Sequence, residues 1–169
     1  MPLPGFDQAA IDGFAVRAVD VKNAPTTSDP SQDGVFLPVV GDVTAGSRMH
    51  TRLQPDQTVR VFTGAAMPAL ADAVVPLAWT DNGETRVTIN RRVNPGDFVR
   101  KVGDDVTPGD IAVRAGTIVG PAQVGLLAAV GRDKVLVHPR PRVSIISVGN
   151  ELVDLDRIPG QGQVYDVAS

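Results

Sequence analysis

The chain has 169 residues, a formal net charge of −3, 43% hydrophobic residues and 4% aromatics. That is ordinary for a folded protein of one or two domains, with a core of mostly Val, Ile, Leu and Ala. The mild acidity argues against a nucleic-acid binder that works by neutralising phosphates. The lack of cysteine excludes disulfides, a thiol nucleophile and thiolate metal sites, and two histidines are too few for a multi-histidine zinc site within the chain.

Along the chain, Ile11 to Val16 reads as a short strand after a turn, and the polar stretch from Val19 to Asp33, with Pro25 and Pro30, as a loop. Val35 to Val43 is β-rich, but Pro38 makes it an edge or interrupted strand, because proline cannot donate to a ladder. Thr58 to Thr63 alternates and is β-branched, which predicts a strand; Met67 to Ala71 reads as one helical turn. Ala73 to Leu77 is a further strand, and Asn82-Gly83 is a hairpin signal ahead of Arg86 to Ile89. Asn94 to Asp97 is a turn leading into Phe98 to Val102.

From Gly103 the texture changes to short strands between tight turns, at Ile111 to Val113 and Thr117 to Val119. Pro121 to Val130 is the one clear helix: Pro121 suits its first turn, residues 124, 127 and 128 share an apolar face, and Gly131 suits its C-terminal cap. Lys134 to Val137 reads as a strand and Pro139 and Pro141 as a linker. Val143 to Val148 is a continuous apolar run, as for a buried parallel strand. It is read as the opening of an α/β domain that the chain truncates, with loop from Asp154 to Ser169. No run approaches the ~18 apolar residues of a membrane span, and Met1 to Gly5 carries no signal-peptide pattern, so the chain reads as cytoplasmic. His50 and His138 are read as structural.

Two glycine-anchored segments are the most informative. In Phe6 to Ala15 and in Val59 to Pro68, a small polar side chain, Asp12 or Thr63, stands beside a glycine at the edge of an apolar run. A strand would hand a functional group to a cleft there, since glycine lets the backbone turn and approach a ligand. The same dipeptides are also common plain turns.

Those segments also carry a family resemblance. PGFDQAAIDGFAVR resembles the P-x-F-D-N-S-A-M-D-G-Y-A-V signature of the molybdopterin molybdenumtransferases, the MoeA family, whose relative is the gephyrin E domain. In order along the chain, VVGDVTAG is similar to V-x-G-E-x-x-A-G, VRVFTGAAMPALADAVV to V-R-I-x-T-G-A-P-x-P-x-G-A-D-A-V-V, and VRKVGDDVTPGD to V-R-x-x-G-E-D-x-x-x-G. AQVGLLAAVG, RPRVSIISVGNEL and GQVYD continue the match.

The resemblance implies a β-rich α+β fold. Residues 1–103 would form a mixed α/β lobe, 104–140 a β-clip-like dimerisation lobe with its helix, and 141–169 the first strand and loop of a truncated molybdopterin-binding α/β domain. It implies a homodimer that inserts molybdate into adenylylated molybdopterin and releases AMP with Mg²⁺, the fragment alone being inactive. A non-catalytic dimeric scaffold on the same fold is the alternative. Asp12, Thr63 and Glu151 match catalytic positions; Thr63, Gly64 and Asp166 would bind the cofactor; Asp105, beside Asp104, and Glu151 would bind the metal. The basic residues Arg91, Arg92, Arg100 and Lys101 read as solvated surface. The chain departs from the pattern where Ala9 replaces Ser, Phe14 Tyr, Leu70 Gly, Ala78 Glu, Val148 Thr and Ala168 Asn. The loss of motif hydroxyls leans toward the scaffold.

Overall fold

A computed structural model describes residues 1–27, 33–47 and 52–168. His50 and Pro30 lie outside the described residues. The chain divides into two units, Met1–Asp133 and Lys134–Ser169.

The first unit is built on β2 to β6, after a two-residue strand β1 (Gln8–Ala9). Its sheet comprises β2 (Gly13–Val16), β3 (Val35–Val43), β4 (Thr58–Val61), β5 (Ala73–Pro76) and β6 (Arg86–Ile89), in the order β5-β2-β4-β3-β6. All neighbours are antiparallel except β3 and β4, which are parallel. β1 pairs separately with β7 (Val99–Arg100).

Side-chain alternation along a strand explains why both faces of this sheet are covered. Phe14 and Val16 of β2, with Ala73 and Val75 of β5, enter one apolar cluster that includes Leu37, Val87 and Ile89. Ala15 and Val74 face the other way, into a cluster with Val43, Leu53, Val59 and Val61. Among the described residues Thr58 is the fully buried polar one, and its hydroxyl donates to the Ala15 carbonyl at 2.7 Å.

Pro38 sits where β3 changes partners. Val35 to Pro38 pair with β6, whereas Val39 to Val43 pair with β4 through a shifted register between Val39 and Asp42. The strand is therefore interior in the sheet, yet interrupted at the proline.

Met67 to Ala71 is not a helical turn. Leu70 has φ 74°, which ends any right-handed turn there, and the segment instead bridges Arg52 through Ala69, just after Ala66 bridges Gln8. The family's glycine at position 70 suits this backbone, and leucine does not. A left-handed residue with a Cβ costs about 1–2 kcal/mol, of which glycine returns roughly 0.4–1 kcal/mol through its freer unfolded chain. Leu70 is 54% exposed, so little packing is at stake. Leu70→Gly is expected to raise unfolding free energy by up to ~1 kcal/mol in urea titration. A loss of stability would show that the leucine side chain packs.

The helix α1 runs Pro121–Ala129. It stops as its sequence predicts: Gly131 adopts φ 78°, its N–H donates to Ala128 and that of Arg132 to Leu127, a Schellman closure. Its expected apolar face is not buried; Val124 is 57% exposed. The expected strands at 111–113 and 117–119 do not form.

In the second unit, β8 (Leu152–Val153) and β9 (Val164–Tyr165) form a parallel pair. The expected strands at 134–137 and 143–148 are absent, and Ile146 and Val148 are exposed. An apolar run becomes a buried strand only beside hydrogen-bonding neighbours, and none pairs with it among the described residues.

Candidate functional site

The antiparallel pairing of β2 with β4 sets Gly13 opposite Val61 and Phe14 opposite Arg60. The two glycine-anchored segments are thus neighbours, and their polar residues meet just past the paired ends. The Thr63 N–H and Oγ both donate to Asp12 Oδ1, at 2.8 and 2.7 Å. The loop beneath is locked by its own backbone. Gly64, at φ 81°, donates to the Ala9 carbonyl at 2.9 Å, and Ala65 donates to Phe62 at 2.9 Å.

These contacts define the chemistry of Asp12. The Thr63 hydroxyl first, its N–H second and the nearby charge of Arg60 hold the Asp12 carboxyl below its ordinary range. Asp12 is therefore an exposed, ionised carboxylate with Oδ1 fixed, and Oδ2 has no hydrogen-bond partner among the described residues. Such an oxygen suits a hard cation or a donating ligand.

The same geometry changes the expected part of Thr63. As a cofactor-binding residue, Thr63 would offer its hydroxyl and the neighbouring N–H groups to an oxyanion of the ligand. Instead the N–H groups of residues 63–65 and the hydroxyl proton are all taken by partners within the protein. Thr63 holds Asp12. Gly64 contributes open space: a Cβ built there would find its nearest neighbour, Ala45 Cβ, at 3.8 Å.

Asp105 is held elsewhere. Its carboxylate pairs with Arg100, and its N–H donates to the Leu3 carbonyl at 2.8 Å. Asp104 accepts the Lys101 N–H at 2.7 Å. The acidic turn is thus matched by local donors, and among the described residues no contact ties it to the Asp12–Thr63 pair.

The sequence reading missed Asp7. Its Oδ2 accepts Lys101 Nζ at 2.8 Å and its Oδ1 accepts the Val102 N–H at 2.9 Å. Lys101 foremost, then the Val102 N–H, depresses its pKa. Its carbonyl accepts Met67 N–H at 3.0 Å, so one residue links three segments. The signal available was the F-D pair of the motif; nothing local pairs it with residue 101. Three of the four basic residues read as solvated surface have specific contacts: Arg100 and Lys101 as above, and Arg91, whose guanidinium lies 4.0 Å from the Trp79 ring centroid.

Glu151 and Asp166 lie in the second unit, one just before β8 and the other just after β9. The Glu151 carbonyl accepts the Val164 N–H at 2.7 Å, and its carboxylate folds over Gly149, where a Cβ would lie 2.5 Å from Oε2. Asp166 Oδ1 accepts the Ser147 hydroxyl and the Ala168 N–H, both at 2.9 Å. Among the described residues, no three His, Asp or Glu side chains gather to hold a metal ion. The carboxylates present fit a cation shared with substrate oxygens, and do not form a protein cage.

Two departures from the motif fall in the core. Ala9 is 1% exposed and Phe14 0%, so the missing serine and tyrosine hydroxyls are absences from packed interior and not from a cleft.

Comparison with known proteins follows the motifs. The family described as MoeA N-terminal region (domain I and II) matches residues 1–131. Molybdopterin molybdenumtransferase 1 of Mycobacterium tuberculosis is 60% identical over 178 residues, spanning 99% of this chain and 42% of that protein. The molybdopterin molybdenumtransferase of Bacillus subtilis is 37% identical over 90% of the chain and 35% of its own length. The crystal structure of a molybdopterin biosynthesis MoeA protein from Pyrococcus horikoshii OT3 superposes with a TM-score of 0.84 at 32% identity, covering 98% of this chain and 43% of that one. The chain thus spans less than half the length of these relatives.

Proposed function

The chain belongs to the MoeA N-terminal-region family, and from that premise we propose that the full-length protein inserts molybdate into adenylylated molybdopterin and releases AMP. The observation that carries this reading is the Asp12–Thr63 pair, assembled by two motif segments from separate parts of the chain. It supplies a rigid, ionised oxygen at an exposed strand end, where an anionic substrate with its counter-cation is received.

The roles proposed are these. Asp12 and Glu151 contribute catalytic carboxylates, and Thr63 fixes Asp12. Gly64 leaves room for the pterin nucleotide, and Asp166 contributes on the catalytic-domain side. Asp105 in the first unit, once released from Arg100, and Glu151 in the second are each carboxylates of the kind Mg²⁺ takes alongside phosphate oxygens and water. When bound, Mg²⁺ would supply positive charge against the phosphate that leaves with AMP. Residues 1–103 would form one lobe, 104–140 a dimerisation lobe and 141–169 the start of the catalytic domain. The working form would be a cytoplasmic homodimer, its cleft lying between the catalytic domain of one protomer and the N-terminal lobes of the other. Among the described residues no helix is long and apolar enough to cross a membrane.

The scaffold alternative rests on lost hydroxyls; two of those positions, Ala9 and Phe14, are buried, whereas Val148, where the motif has threonine, is exposed. Single-turnover AMP release by the full-length protein, with adenylylated molybdopterin, molybdate and Mg²⁺, tests the proposal. Wild type is expected to release AMP in a molybdate-dependent burst, and Glu151→Gln to slow it by ~10²-fold or more. Pterin binding without any AMP release in wild type would favour the scaffold.

A further inference from the structure

We propose that Arg60 holds a tetrahedral oxyanion of the substrate beside Asp12. The inference rests on the molybdate-insertion reading above and names the group that reading still needs. An anionic nucleotide and molybdate require donors or positive charge. The Asp12–Thr63 loop provides neither: its own N–H groups and the threonine hydroxyl proton are consumed internally, and Asp12 adds negative charge.

Arg60 is placed to supply both. Val59 and Val61 are buried in one core cluster, so the alternation of β4 turns the half-buried Arg60 to the opposite face. It stands opposite Phe14 in the β2–β4 ladder, close enough to Asp12, the residue just before β2, for its charge to help hold that carboxyl ionised. On its other flank, the parallel register sets Asp42 of β3 opposite it. The guanidinium carbon lies 5.7 Å from the Phe62 ring centroid, an aromatic contact that orients the planar group without consuming its N–H donors.

Among the described residues Arg60 has no ion-pair partner. Arg17, Arg100 and Lys101, by contrast, are each matched to an aspartate. A half-buried guanidinium near the end of β4 with its fork of donors still available is suited to bidentate capture of a phosphoryl or molybdate oxyanion.

The test uses the full-length protein, with Arg60→Gln and Arg60→Lys. Arg60→Gln is expected to raise KM for one of the two anions ~10- to 100-fold, the range of a lost hydrogen bond to a charged group. The anion affected identifies the source, adenylylated molybdopterin for a phosphoryl contact and molybdate for the metal oxyanion. Arg60→Lys is expected to recover part of the loss through charge alone. Wild-type KM should rise with salt, and the Arg60→Gln value should rise less. The melting temperature should be unchanged, which a packing role would not give.

Unchanged KM for both anions in Arg60→Gln overturns the proposal. So does a fall in melting temperature and kcat at constant KM, which assigns the residue to packing. A wild type that releases no AMP overturns the molybdate-insertion reading instead. Calorimetric binding of adenylylated molybdopterin and of molybdate to wild type and Arg60→Gln then decides the role of Arg60, equal affinities for both ligands counting against it.

Discussion

Gly13→Ala is expected to destabilise the first unit by about 3 kcal/mol or more, at or beyond the upper end of ordinary overpacking. A Cβ built on Gly13 would lie 2.1 Å from the Val75 carbonyl oxygen and 2.9 Å from Val74 Cγ1. The first neighbour is backbone of β5, which pairs with β2 from Gly13↔Pro76 to Val16↔Ala73, so it cannot rotate aside like a flexible side-chain tip. Relief requires the β2–β5 ladder to open, and that ladder separates the two core clusters. Since whole domains hold only about 5–15 kcal/mol, this is a large fraction of the total.

Urea unfolding followed by the fluorescence of the single tryptophan, Trp79, measures it. Gly125→Ala is the control: in the interior of α1, its Cβ would meet nothing within 4 Å. There the substitution should gain roughly 0.5–1 kcal/mol through helix propensity. A Gly13→Ala midpoint equal to wild type would show that β2 and β5 are not paired in this register.

The strands of this sheet were legible because their signals are local. Alternation and β-branching at Thr58 to Val61, and apolar continuity at Ala73 to Pro76, each suffice within a few residues. Helix α1 was legible for the same reason, its start and stop being written in Pro121 and Gly131. What was not legible depends on partners distant in sequence. The pairing of Asp7 with Lys101 spans 94 positions and turns a presumed solvated lysine into a tether.

Thr63 illustrates the same limit at the site. Its type and position were readable, but the direction of its hydroxyl was decided by Asp12, 51 residues earlier. The run Val143 to Val148 carries the composition of a buried strand, yet composition supplies no hydrogen-bonding neighbour. At Met67 to Ala71 the expected helical turn gives way to a left-handed backbone at Leu70, where the motif has glycine.

Because Thr63 acts through Asp12, Thr63→Val should be felt as a change in Asp12. The substitution removes the hydroxyl, the leading cause of the lowered pKa, while the backbone N–H remains able to donate. Asp12 should then titrate closer to an ordinary aspartate. In the full-length protein the acidic limb of the AMP-release profile is expected to move to higher pH, with Thr63→Ser restoring it. Asp12→Asn keeps the shape and loses the charge; it should reduce AMP release by ~10²-fold or more at neutral pH.

The stability signature has a definite sign. A carboxyl whose folded pKa is depressed stabilises the fold above its unfolded pKa, about 3.9 for aspartate, and that contribution is lost as pH falls through the lower folded value. Any stability gap between wild type and Asp12→Asn should therefore be present at neutral pH and close below about pH 4. Thr63→Val should narrow the gap by weakening what the ionised carboxylate gains on folding. If Thr63→Val left both the acidic limb and AMP release unchanged, the hydroxyl would have no hold on Asp12. The pair would then be a turn contact, and the functional role would have to move to other residues.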